Sequence, residues 1–257
     1  MASKDSTQKT IMVALVLCVV CSIIVSTAAV MLRPSQKANK VMDIKVNILK
    51  AAAMYDEGGD IDAQFENIEA KLVDLATGKY STDIDVDTYD QIKAAKDPSL
   101  SEQLSGDVDI ASLSRLEKYA KVYVVSGSAG LEKIVLPIRG YGLWSTLKGF
   151  IALESDLNTV VGLGYYDHKE TPGLGGEVDN PKWKAMWPGK KVYSADGTVA
   201  LSVIKGMVTE STPGAEHKVD GLSGATLTSN GVDYMVKFWL GENGYASFLN
   251  NLKSGEA

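Results

Sequence analysis

The sequence predicts an α+β protein: one transmembrane helix at the amino end, then a soluble domain with leading helices, a mainly antiparallel sheet and a carboxy-terminal helix. Three observations predict it. An uncharged apolar run fills residues 11–32, short β-rich runs follow one another from Lys121 onward, and one amphipathic helical repeat lies near the carboxy end.

After a ten-residue tail, Ile11 to Leu32 gives 22 residues without a charge, interrupted only by Ser22, Ser26 and Thr27. As a helix this run extends about 33 Å, enough to cross a bilayer. Ser26, Ala28 and Ala29 offer a small-residue cleavage site, but a cleaved signal has a shorter apolar core, so the run reads as a retained anchor. Lys4 and Lys9 precede the span, whereas Arg33, Lys37, Lys40, Lys45 and Lys50 follow it, a bias that keeps the large domain in the cytoplasm. The 225 residues after the span contain no cysteine, which suits an oxidising compartment without requiring one, so these residues leave the side open. Cys18 and Cys21 lie within the span on one helical face and read as small membrane hydrophobes.

Residues 33–120 read as a helical lead and connecting segment. Val41, Ile44, Ile48 and Leu49 recur at helical spacing up to the loop at 56–60. Asp60 can then cap a second helix carrying Ile61, Phe65, Ile68 and Leu72, which ends near Gly78. The DIDVD run at 83–87 fails as a calcium loop, because Thr88 stands where glycine is needed and Ala94 where a glutamate is needed. Its alternation predicts a half-solvated strand through Ile84 and Val86. Residues 88–117 read as loop and short helix.

Residues 121–257 form the main domain. Runs at 122–125, 134–138, 149–154, 160–166 and 199–204 predict strands, and the short connections between them favour antiparallel pairing. Val232, Met235, Val236, Trp239 and Leu240 share one face of a helix that starts near Ser229 and closes at Gly241 or Gly244.

Composition excludes several functions. Residues 41–257 carry 21 basic and 31 acidic side chains, a net of −10, so a nucleic-acid footprint is absent. The two histidines, His168 and His217, stand apart, and no metal-ligand spacing surrounds them. The glycines at 162, 164, 173, 175 and 176 do not form GxGxxG between a strand and a helix, which argues against NADH binding here.

The segment from Asp220 to Ser229 is the richest in chemistry. Its small residues admit a ligand close to the backbone, and the helix that follows offers unpaired N–H groups to an anion. Ser223, Thr226, Thr228 and Ser229 place four hydroxyls there. The plainer reading is a turn with Thr228 or Ser229 as helix N-cap. A hydrolase elbow is nearly spelled by Gly221-Leu222-Ser223-Gly224-Ala225, but the fifth residue is not glycine, and Glu216, His217, Lys218 and Asp220 before it read as polar loop rather than strand.

Ser223-Gly224-Ala225-Thr226 followed by Leu227-Thr228, with Asp220 three residues upstream, resembles the flavinylation motif of the FMN-binding domain family. His168-Lys169-Glu170-Thr171-Pro172-Gly173-Leu174-Gly175 is similar to a second motif of that family, with Tyr141-Gly142-Leu143-Trp144-Ser145 upstream. Nearly the whole chain resembles the flavin-carrying subunits of ion-pumping NADH:quinone oxidoreductases, with the flavinylated subunit of the related ferredoxin:NAD oxidoreductase as the alternative. An anchored scaffolding module that binds phosphate reversibly is the non-redox rival.

The resemblance implies FMN joined through a phosphoester to Thr226, a flavin transferase that attaches it from FAD with Mg²⁺, and a domain on the periplasmic side of a bacterial inner membrane. It implies other complex subunits as partners, with NADH and quinone bound by them. By the same analogy Ser223, Gly224, Ala225, Leu227 and Thr228 surround the phosphate and ribityl chain. Trp144 and Leu174, and more weakly Tyr141, contact the ring. Glu170 and Thr171 hydrogen-bond the ribityl chain or the ring edge. Lys205 stabilises negative charge on the reduced ring, and Gly175 with Pro172 and Gly173 shapes the turn.

Overall fold

The computed structural model describes residues 6–128 and 130–257. Among them the chain forms two compact units, one ending at Ile44 and the other running from Lys45 to Ala257. Helix α1, Thr7–Ala51, carries Pro34 inside it. The apolar run and the expected helix after it are therefore one element; a proline removes one intrahelical hydrogen bond, and here the helix continues through it. Every residue of 11–32 is exposed, and α1 is the one described helix long and apolar enough to cross a membrane.

In the second unit α2, Ile61–Gln64, is a single turn capped by the Asp60 side chain. Then come β1, Ile68–Asp74, and β2, Lys79–Ser81. The expected second helix is thus one turn followed by a strand. Ile68 and Leu72 are four apart, and because four is even they share one face of a strand as readily as one face of a helix. The strand wins because β1 pairs along its whole length with β5.

The expected strand at 84–86 is absent: the Asp85 carboxylate accepts from Asp87 N at 3.0 Å and folds the segment into turns. Ile84 and Val86 pack instead on Leu72, Tyr89 and Ala94. Helix α3, Gln91–Ala94, and a small pair, β3 at Ser101–Gln103 with β4 at Arg115–Glu117, fill the connecting segment.

The main sheet continues with β5, Tyr119–Gly127, β6, Gly130–Tyr141, β7, Thr146–Glu154, and β8, Val160–Asp167. Its six strands run in the order β2-β1-β5-β6-β7-β8, with antiparallel neighbours throughout. A 3₁₀ turn at Gly175–Asp179 and helix α4, Pro181–Lys184, follow. The run at 199–204 yields only β9, Ser202–Ile204, paired in parallel with β10, Lys218–Asp220. This departs from the antiparallel expectation because the 13 residues between the two strands form a crossover rather than a tight turn. It also makes a short strand of residues whose polarity suggests loop, since backbone pairing with β9 does not depend on their side chains.

Helix α5, Thr226–Leu240, begins three residues earlier than its apolar stripe suggests, and α6, Ala246–Ser254, is an addition that the sequence pattern does not announce. Val232, Met235, Val236, Trp239 and Leu240 are buried as their spacing predicts. Two hydrogen bonds seat this end of the chain on β6: Trp239 Nε1 donates to the Arg139 carbonyl and the Tyr245 hydroxyl to the Pro137 carbonyl, each at 2.7 Å.

A close backbone approach on α5 falls at Gly231, where a Cβ would lie 2.3 Å from the Tyr141 carbonyl oxygen. Gly231→Ala should therefore lower stability by about 1–3 kcal/mol through overpacking, although alanine favours a helix by about 1 kcal/mol. A lower urea midpoint at unchanged slope would register it, and a gain in stability would refute the contact's importance.

Candidate functional site

Three segments meet at the amino end of α5: the β6–β7 turn at 142–145, the loop at 168–176 after β8, and the loop at 221–225. The first two are joined to the helix itself through the Glu170 carboxylate, which is 5% exposed. Trp144 N donates to it at 2.9 Å, Leu143 N and Ser145 N at 3.2 Å, and the fully buried Thr228 hydroxyl at 2.7 Å. Burial raises the carboxyl's pKa, but the hydrogen bonds from Thr228 and the three backbone N–H groups outweigh burial and hold it below the usual glutamate value.

The loop has its own braces. Glu170 N donates to His168 Nδ1 at 3.2 Å, and His168 Nε2 lies 2.7 Å from the Asp179 carboxylate, so the histidine is no free base. Lys169 N donates to the Ser145 hydroxyl at 2.7 Å, and the exposed Thr171 accepts through its carbonyl from both Leu174 N and Gly176 N. At Gly175 a Cβ would lie 2.5 Å from Thr228 Oγ1, which explains a glycine there. Gly224, at φ +73°, has Leu174 Cδ2 3.1 Å from where a Cβ would stand, so the 168–176 loop touches the 221–225 loop directly.

Thr226 is the first residue of α5 and Ala225 its N-cap, with no side chain capping the helix. This corrects the N-cap reading for Thr228 and Ser229. The Thr228 hydroxyl goes to Glu170, while Ser229 Oγ accepts from Leu222 N at 2.9 Å and donates to the Ala225 carbonyl. The Thr226 side chain is exposed and forms no hydrogen bond among the described residues. Leu227 follows it in α5, and the two loops tied to this end of the helix carry Leu143, Trp144 and Leu174, all four exposed, Trp144 by 65%.

By resemblance, Glu170 hydrogen-bonds the ribityl chain or ring edge and Thr228 is among the residues around the phosphate and ribityl chain; in the structure the two side chains are buried and bonded to each other. Ser223 and Gly224 are exposed, and Ala225 is buried beneath them. Tyr141 is half exposed at the end of β6, held by its carbonyl's approach to Gly231. Lys205 is exposed just past β9 and outside the Glu170 hub; its neighbour Gly206 accepts from Gly221 N at 3.0 Å. Two contributions escape a reading of the sequence, Leu143 on the rim and the bracing role of His168; the His-x-Glu spacing is the available signal for the second.

A donor-rich helix start, a free hydroxyl on its first residue and an apolar rim fit a phosphate-bearing cofactor with a flat ring. The FMN-binding domain family matches residues 142–241, so the site lies in a domain of that class. The chain is 52% identical to the Na(+)-translocating NADH-quinone reductase NqrC of Pseudomonas aeruginosa, over 100% of both chains. It is 48% identical to the NqrC of Vibrio vulnificus over 99% of each.

Among solved structures, Shewanella oneidensis NqrC superposes with a TM-score of 0.77 at 35% identity, covering 84% of this chain and 99% of that one. NqrC from Parabacteroides distasonis gives 0.65 at 29%, covering 85% and 96%. This chain belongs to the NqrC family of Na(+)-translocating NADH-quinone reductase subunits. FMN is its cofactor, and the quinone reductase reading prevails over the ferredoxin:NAD alternative.

Proposed function

We propose that this chain holds FMN covalently, as a phosphoester on Thr226, and relays electrons from NADH-derived centres toward quinone inside a membrane Na(+)-translocating NADH-quinone reductase. The observation that carries this reading is the free, exposed Thr226 hydroxyl at an uncapped helix start, rimmed by Leu143, Trp144, Leu174 and Leu227. Bound FMN supplies reversible electron transfer that the side chains at this site do not.

The chain's own part is attachment and placement. Backbone N–H groups of the first turn of α5, with Ser223, Gly224 and Ala225 before them, bind phosphate oxygens. The four apolar side chains cover the ring faces, Tyr141 stands at their edge, and Lys205 brings positive charge from the end of β9. Glu170 and Thr228 hold the turn, the loop and the helix start in register, while Thr171 and Gly175 fix the loop's bend.

Among the described residues no group hydrogen-bonds Thr226 Oγ1, and a threonine hydroxyl without a base is a weak nucleophile, so a separate flavin transferase performs the attachment. It uses FAD and Mg²⁺: the Thr226 oxygen forms a bond to the FMN phosphorus as AMP departs. A tether keeps the carrier at its partners, replacing a bimolecular encounter with an intramolecular one. Such a transferase and the cysteine-free domain suit the periplasmic side of a bacterial inner membrane. Pumping belongs to partner subunits, as do the NADH and quinone sites, because one uncharged span makes no ion path.

The test is in-gel flavin fluorescence of the denatured full-length chain, expressed with and without the transferase. A fluorescent band that needs the transferase is expected. A dark band beside a fluorescent control from the same cells would overturn covalent attachment and favour reversible phosphate binding.

A further inference from the structure

Two hydrogen bonds hold His168 in one protonation state. A backbone N–H can only donate, so Glu170 N at 3.2 Å makes His168 Nδ1 an acceptor, and an accepting ring nitrogen carries no proton. A carboxylate can only accept, so the other nitrogen, Nε2, carries the proton and donates to Asp179 at 2.7 Å. Together the two bonds fix the neutral Nε2–H tautomer and the direction in which the ring is turned.

The consequence falls on the Glu170 hub. A second proton, on Nδ1, sets N–H against N–H, and a donor cannot bond a donor. The imidazolium keeps Asp179, now as a charge-assisted pair, so the bond that gives way is the one to Glu170 N. Glu170 is the residue whose carboxylate gathers Leu143 N, Trp144 N, Ser145 N and the Thr228 hydroxyl. His168 and Asp179 are also the two ends of the segment that contains the 168–176 loop, and their bond closes it.

The charges around His168 come from several elements. Asp179 ends the 3₁₀ turn and is bridged at its other oxygen by Lys184 of α4, at 2.9 Å. Lys96, Arg139, Lys148, Asp167 and Lys169 line one cavity with His168, Lys148 being paired with Asp167 and Arg139 with Glu117. Among these residue types histidine alone ordinarily changes charge between about pH 5 and 8. Its side chain is 14% exposed, within reach of solvent protons.

We propose that His168 is a proton-operated latch on this site. Neutral, it holds the Glu170 backbone and keeps the loop closed; protonated on Nδ1, it stays on Asp179 and releases Glu170 N to water. The step is one proton taken from solvent: an N–H bond forms on Nδ1, one hydrogen bond breaks, and no electron moves. Its consequence for the cofactor rests on the reading above, in which Leu174 of the loop and Trp144 of the turn cover the flavin ring, so acid loosens that cover.

Hydrogen–deuterium exchange of the full-length chain in detergent, expressed without the transferase, reads the latch with no flavin present. Peptides covering 142–145 and 168–176 are followed from about pH 5 to 8 in wild type and in His168→Gln, which takes no proton in that range. The ratio of the two at each pH cancels the intrinsic pH dependence of exchange. Wild-type protection relative to the variant should fall about three- to tenfold from the alkaline to the acid end, the worth of one backbone hydrogen bond. The chain has two histidines, so His217→Gln is the control and should keep the wild-type profile.

Asp179→Asn serves if His168→Gln fails to fold. It withdraws the carboxylate from the imidazolium, so the loss of protection should move to lower pH. A ratio that stays flat, a profile unmoved in Asp179→Asn, or one abolished by His217→Gln overturns the latch. Because no flavin is present, a dark band in the attachment test leaves this result untouched, and the two readings fail separately.

Discussion

Thr226→Ala should abolish covalent flavin completely while leaving the domain folded. The side chain is exposed at the first position of α5 and forms no hydrogen bond among the described residues, so its loss removes no contact within the protein. A surface change of this kind shifts stability by about 0.5 kcal/mol or less, roughly 1–2 °C in melting temperature for a domain of this size. Thr226→Ser keeps the hydroxyl at the same place and should retain fluorescence.

In-gel fluorescence of the denatured variants, beside a thermal melt, separates chemistry from folding. Persistent fluorescence in Thr226→Ala would move the attachment to another hydroxyl. Thr228 is a poor substitute, because its hydroxyl is fully buried and donates to Glu170. Ser223 is exposed and would be the next candidate.

The parts of this fold that are legible in the sequence are those whose pattern has one structural meaning. The short β-rich runs at 122–125, 134–138, 149–154 and 160–166 become β5 to β8, and the stripe from Val232 to Leu240 becomes the buried face of α5. The failures share a cause. Ile68 and Leu72 carry a spacing common to both periods, and the choice between them is made by β5, a partner about fifty residues away.

Ile84 and Val86 alternate as a strand does, yet aspartates between them close turns through their side chains. Thr226 is nominated by a motif with a resemblance, and the fold adds that it is exposed at the first position of α5. Glu170 is nominated by the same route, and only the fold reveals that three N–H groups and Thr228 donate to its oxygens.

Glu170→Ala should be the most destabilising change in the site. It removes the carboxylate at the centre of the hub and leaves the Leu143, Trp144 and Ser145 N–H groups and the Thr228 hydroxyl without an acceptor. Losing one partner of a buried charged network costs about 3–5 kcal/mol. At about 2–4 °C per kcal/mol, the melting temperature should fall by roughly 6–20 °C. Glu170→Gln retains one acceptor oxygen but turns an NH₂ toward donors, and should cost about 1–3 kcal/mol.

The charge has a pH signature with a definite sign. Because the folded pKa lies below the ordinary value of 4.5, the carboxylate's contribution is fully present above that value. It is lost as pH falls below 4.5 through the lower folded value, and Glu170→Gln should flatten that part of the stability profile. A hub that only orients the site also predicts a division of effects. Flavin should still attach in Glu170→Gln, since Thr226 is untouched, but its fluorescence anisotropy should fall as the Leu143–Trp144 turn loosens from α5. Unchanged anisotropy together with an unchanged melt would mean that these four hydrogen bonds do not hold the three segments together.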